Sequence, residues 1–129
     1  MAITHKSGSD DVAERWDRAF NILSQEPRRE LVISLAGKSA SDWVPLPDAA
    51  HSPHFEGTSE DLRLDLYHKH LPKLANHGFV IWEESPFEAR QGPNFREVEA
   101  IIQAMTAAAD ALPEQMITNC RTLKPYANQ

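Results

Sequence analysis

The segment SEDLRLDLYHKHLPKLANHGFVIWEESPFEARQ, residues 59–91, decides how this chain is read. Its first half has helical spacing. Thr58 or Ser59 can cap an N-terminus, and Glu60 and Asp61 suit the positive end of a helix dipole. Placed at about 100° per residue, Leu66, Tyr67, His70, Leu71 and Leu74 fall on one side. Asp65, Lys69, Pro72, Lys73 and Asn76 fall on the other. The pattern predicts a helix from Ser59 to Asn76, ended by Gly78. Pro72 has no N–H to donate, so a kink is expected near His68. Phe79-Val80-Ile81-Trp82 is rich in β-formers, Glu83 to Pro86 reads as a turn, and Phe87 to Gln91 returns as a second strand.

Working outward, a first helix is expected from Asp10 or Asp11, with Val12, Trp16, Phe20 and Leu23 as one apolar stripe. Pro27 suits the first turn of a second helix, which carries Leu31, Val32 and Leu35 and stops at Gly37. Residues 38–57 are less regular. Trp43 and Val44 suit a short strand, and Pro47 to His51 one or two turns of helix closed by Pro53. On the other side, Asn94 and Glu97 form a capping-box-like pair. Phe95, Val98, Ile102, Met105, Ala109 and Leu112 then repeat at three, four, three, four, three, the spacing of a helix seam, until Pro113 closes it. The fold expected is mainly α with a small β-hairpin, a winged helix-turn-helix. The domain spans residues 10–112, after a disordered tail of residues 1–9. Residues 113–129 form a second tail, with a short helical turn around Met116 and Ile117.

At 129 residues the chain fits one domain, and a hydrophobic share of 41% supplies a core without disulfide staples. The single cysteine, Cys120, excludes an intramolecular disulfide framework and a multi-cysteine zinc site, and it fits a reducing cytosol. No apolar leader segment is visible, and no run approaches the ~18 apolar residues of a membrane helix. A soluble, cytoplasmic protein without a membrane partner is expected. Asp and Glu outnumber Lys and Arg by 19 to 13, a net charge of −6. Charge alone argues against nucleic acid, because phosphate contacts want clustered cations.

Tyr67-His68-Lys69-His70-Leu71-Pro72-Lys73-Leu74, followed by Gly78-Phe79-Val80, resembles a haloarchaeal winged-helix domain family of largely unassigned function. That family shares a Tyr-His-x-His-Leu-Pro-Lys-Leu signature. The similarity extends to Gly92-Pro93-Asn94-Phe95 with Val98, and loosely to Leu23-Ser24 and Arg28-Arg29, over roughly residues 10 to 112. More distantly, His70-Leu71-x-x-Leu74 before Gly78 is similar to the recognition-helix ending of ArsR-type repressors. The resemblance implies a cytoplasmic archaeal regulator. Two departures stand out: residues 43–55 make a poor first motif helix, and the metal-binding cysteine pair of ArsR proteins is absent.

The expected function is duplex DNA binding by a homodimeric transcription regulator, with recognition helix 59–76 and wing 79–91. Lys69 and Lys73 are the phosphate partners, and His68 and Arg63 reach base edges or phosphates. Asp65 and, on the hairpin, Arg90 complete the candidate set. Trp16 and Phe20, with the seam Phe95, Val98, Ile102, Met105, Ala109 and Leu112, are the expected dimer face. His70 lies on the apolar side and reads as a satisfied core histidine; His68 and His77 are wrongly spaced for one ion. No metal, cofactor or catalytic constellation is expected. The alternative is a winged-helix protein-interaction module, with the acidic surface and Trp82 facing a protein partner.

Overall fold

A computed structural model describes residues 8–117 of the chain. Helix α1 (Gly8–Leu23) packs beside α2 (Glu26–Leu35). The strand β1 (Val44–Pro45) and a single 3-10 turn (Asp48–Ala50) follow. Next come three helical segments end to end: α3 (Ser59–Asp65), a π-helical stretch (Leu66–His70) and α4 (Leu71–Asn76). A hairpin of β2 (Val80–Glu84) and β3 (Phe87–Gln91) leads into α5 (Phe95–Ala107), with 3-10 turns at Ala109–Ala111 and Glu114–Met116. The fold is mainly helical with one small antiparallel sheet, in strand order β1-β3-β2. No described helix is long and apolar enough to cross a membrane.

Local chemistry accounts for the long helix. Thr58 Oγ1 accepts from the Asp61 N–H while Asp61 Oδ2 accepts from the Thr58 N–H, a closed capping box. Leu62, Leu66, His70 and Leu74 recur every four residues and are all buried. On an α-helix of 3.6 residues per turn such a row drifts by about 40° at each step. The wider π turn takes part of that drift back, and it is where the Leu71 N–H bonds to the Leu66 carbonyl, five residues earlier. The expected irregularity near His68 therefore takes the form of a bulge just ahead of Pro72. The helix stops at Gly78, whose φ of +76° is open to glycine at no steric penalty. The Phe79 N–H bonds to the Leu74 carbonyl and the Gly78 N–H to that of Ala75, with Leu74 and Phe79 both fully buried.

The hairpin is tied to that stop. Gly92 donates to the Phe79 carbonyl and Asn94 to that of Gly78, and a Cβ on Gly92 would lie 2.5 Å from Gly78 O. Strand β3 is central, pairing Trp82 with Ala89 on one side and Val44 with Ala89 on the other. Gln91 Nε2 donates to the carbonyls of Leu35 and Lys38, fixing the end of α2 against the sheet.

Several boundaries differ from expectation. Helix α1 begins at Gly8, so residues 8 and 9 are not tail; the rest of that expected tail, residues 1–7, lies outside the described residues. Residues 118–129, with Cys120, lie outside them too. The second strand-forming residue at β1 is Pro45 and not Trp43. Asn94 sits at the N-cap of α5 but makes no cap bond, because its Nδ2 donates to the His77 carbonyl and Glu97 is drawn to Arg15. Helix α5 ends at Ala107, and the chain folds over so that Ala109 packs with Ile117 and Leu112.

Two substitutions should separate core from cap. Leu74→Ala, which empties a fully buried site, should cost about 2–5 kcal/mol, and Thr58→Ala about 1 kcal/mol. Urea unfolding followed by circular dichroism measures both.

Candidate nucleic-acid interface

The exposed side of the long helix carries Asp65, His68, Lys69, Pro72, Lys73 and Asn76. The two faces divide as their spacing predicts. Lys69 and Lys73, one turn apart, form no ion pair within the described residues, so both ammonium groups are open to an external anion. The His68 ring meets Tyr67 edge-on at 4.9 Å and stays exposed.

Arg63 and Arg90 are not so placed. The Arg63 guanidinium lies 4.4 Å above the Phe87 ring, and that of Arg90 lies 5.1 Å from the Trp43 ring, with Nη1 donating to the Ala40 carbonyl. Both expected DNA contacts are thus engaged in holding the hairpin: Arg63 clamps its return strand, and Arg90 joins β3 to the loop before β1. The hairpin itself is acidic. Glu83 pairs across the strands with Glu88, and Glu84 accepts a hydrogen bond from the Tyr67 hydroxyl at 3.2 Å. Carboxylates at positions 83, 84 and 88 give this hairpin a charge that repels phosphates.

Sequence reading missed the aromatic lock behind this surface. Tyr67 meets Trp82 edge-on at 5.6 Å, and Trp82 meets Phe87 at 6.2 Å, so helix and hairpin form one unit. Trp82 is half-buried there. Period-two spacing in β2, which buries Val80 fully and Trp82 in part and exposes Ile81, was a usable signal for this contact.

Behind the helix, His70 is 2% exposed, and its Nδ1 accepts from Arg28 Nη1 at 3.0 Å. Burial first, then the charges of Arg28 and Lys69, pull its pKa down to about 4. His77 is lowered as well, by burial and by Arg18 and Lys73. Arg28 also donates to the carbonyls of Ile22 and Asn21 and to Ser24 Oγ, and Arg29 to the Leu23 carbonyl. Elsewhere, His54 Nδ1 lies 3.3 Å from Glu26 Oε2. Among the described residues no three His, Cys, Asp or Glu side chains converge on a cation site.

The expected dimer seam is largely consumed inside the domain. Phe95, Val98 and Ile102 belong to the main core and Ala109 to the small cluster with Ile117, so none of the four can meet a second chain. Their a/d-like spacing faces the protein's own sheet and helices. Met105 and Leu112 are half-buried, whereas Trp16 and Phe20 stand well exposed on α1.

Compared with family models, with curated proteins and with solved structures, the chain gives no match.

The buried imidazole sets a pH dependence. A histidine in the unfolded chain titrates near 6.5, whereas folded His70 titrates at about 4. Between those values the unfolded state holds the extra proton. The stability is complete above pH 6.5 and falls as pH drops toward 4, by a span on the order of 3 kcal/mol. Urea midpoints at pH 7.5 and 4.5 should therefore move less in His70→Gln than in the unsubstituted chain.

Proposed function

We propose that the protein is a winged helix-turn-helix regulator that reads duplex DNA with the exposed side of helix 59–76. Topology carries the reading. Helix α2, strand β1, a short helical turn, the long helix and a hairpin follow in that order, with β3 between β1 and β2. This is the element order and strand order of a winged helix, in which the helix before the hairpin enters the major groove. The first motif helix is reduced to the single turn Asp48–Ala50. The Tyr67–Leu74 resemblance to haloarchaeal winged-helix proteins supports the same reading.

Lys69 and Lys73 serve as phosphate contacts, and His68 faces the groove beside them. Asp65, on the same side, confines the positive potential to the C-terminal half of the helix. Arg63 and Arg90 act as struts for the hairpin. A second reading, a protein-interaction module, is favoured by one observation: the hairpin is acidic at Glu83, Glu84 and Glu88. Its partner would then be a basic protein surface and not phosphate.

Salt titration separates the two. Fluorescence anisotropy with labelled genomic duplexes should show affinity falling steeply as salt rises from about 50 to 200 mM. Lys69→Glu or Lys73→Glu should weaken binding to all sequences alike and flatten the log–log salt slope by about 1 each. Absence of duplex binding at the lowest salt would leave the interaction module standing.

A further inference from the structure

Lys69, Lys73 and His77 follow one another at four-residue steps, a row of basic side chains about 12 Å long on the helix axis. On an α-helix such a row drifts by about 40° at each step. Its last member leaves the open face: Lys69 and Lys73 are exposed, whereas His77 is half-buried. The end of α1 lies on this side of the helix. Arg28 joins the Asn21 and Ile22 carbonyls there to His70, about two turns before His77. One turn back from Ile22 on α1 stands Arg18. Burial first, then the charges of Arg18 and Lys73, hold the His77 imidazole below its ordinary pKa. Phe79, with ring centroids 5.8 Å apart, and Asn94, whose Nδ2 donates to the His77 carbonyl, are its neutral neighbours. Among the described residues every other arginine is engaged by a carboxylate, a carbonyl, or a tryptophan or phenylalanine ring, and Arg18 by none.

We propose that Arg18, Lys73 and His77 form a subsite for one backbone phosphate, through which duplex DNA held on the long helix also rests on α1. This rests on the reading of that helix as the DNA-contacting element, and it adds a contact outside the motif. Two cations face one imidazole, and none of the three forms an ion pair among the described residues. A phosphate relieves that excess of like charge. Arg15, one turn earlier on α1, shows the contrast, because Asp11 and Glu97 hold it. Arg18 has Glu14 and Asp17 near it in sequence and pairs with neither. The donors also suit a phosphodiester: a guanidinium fork, an ammonium point charge and a ring N–H can share its oxygens. The subsite continues the row from Lys69 and Lys73, so one strand meets cations from two helices in succession. A phosphate beside the His77 ring favours the imidazolium, the opposite of what Arg18 and Lys73 do. Duplex binding therefore takes up a proton, and affinity rises as pH falls.

Arg18→Gln and His77→Gln in the full chain test this by fluorescence anisotropy on labelled genomic duplexes, with circular dichroism confirming the fold. Arg18→Gln should flatten the log–log salt slope by about 1, which at about 100 mM salt is roughly a five- to tenfold loss of affinity on every sequence. His77→Gln should remove much of the gain in affinity between about pH 7.5 and 5.5; His68 is present in both chains and cancels from the comparison. Proton NMR of the chain without DNA gives an independent check, in which Arg18→Gln should raise the His77 titration midpoint. Duplex binding that weakens with Lys69→Glu yet ignores Arg18→Gln overturns the subsite and leaves the long helix as the DNA reader. So does a pH dependence that survives His77→Gln in full, or a His77 midpoint unmoved by Arg18→Gln. An unsubstituted chain that binds no duplex at the lowest salt overturns both the subsite and the reading beneath it.

Discussion

Arg28 holds a full positive charge in the interior, 2% exposed, with no carboxylate against it among the described residues. Burial and neighbouring Arg29 push its pKa down, but an arginine remains charged. What stabilises it is the end of a helix. The last carbonyls of α1 lack intrahelical partners and carry the negative end of the helix dipole, and Arg28 takes those of Asn21 and Ile22. Its remaining arm donates to His70, which must be neutral to accept. One guanidinium therefore fixes α1, α2 and the long helix to one another, and it adds to the burial that keeps His70, on the far side of the lysine face, neutral. Removing it would take a donor from two buried acceptors, the Ile22 carbonyl and the His70 ring.

That tie explains which parts of the chain could be read in advance. The faces of helix 59–76 were legible because burial follows the apolar positions residue by residue, and Gly78 could be placed because only one backbone geometry stops a helix there cheaply. The hairpin was legible for the same local reasons. The fate of the α5 seam was not: the spacing of Phe95, Val98 and Ile102 states that a face is apolar, without stating whether its cover comes from the same chain or another. The ring contacts of Arg63 and Arg90 were hidden for a related reason. Both charges look solvated in one dimension, and only the tertiary arrangement brings Phe87 and Trp43 beneath them. The Asn94–Glu97 cap failed because Arg15, 82 residues away in sequence from Glu97, competes for that carboxylate.

The chain's charge, −6 overall, is distributed unevenly around the proposed contact. Carboxylates crowd the N-terminal turn of α3 and the hairpin, where Glu60, Asp61, Glu83 and Glu84 lie, while Lys69 and Lys73 sit on the second half of the helix. A phosphate chain would meet attraction along one short stretch and repulsion on either side. Such a field favours one orientation on the duplex and penalises sliding contact with the rest of the surface.

The π-helical stretch at Leu66–His70 holds one residue more than ordinary winding needs. Deleting one residue there would restore ordinary winding with little net rotation: Leu66 and Leu74 would stand seven positions apart, within about 20° of one another around the axis. Leu74 would stay on the buried side. A relative could therefore carry one residue fewer between Thr58 and Gly78 and keep the same buried row, provided that the residue is lost at this turn.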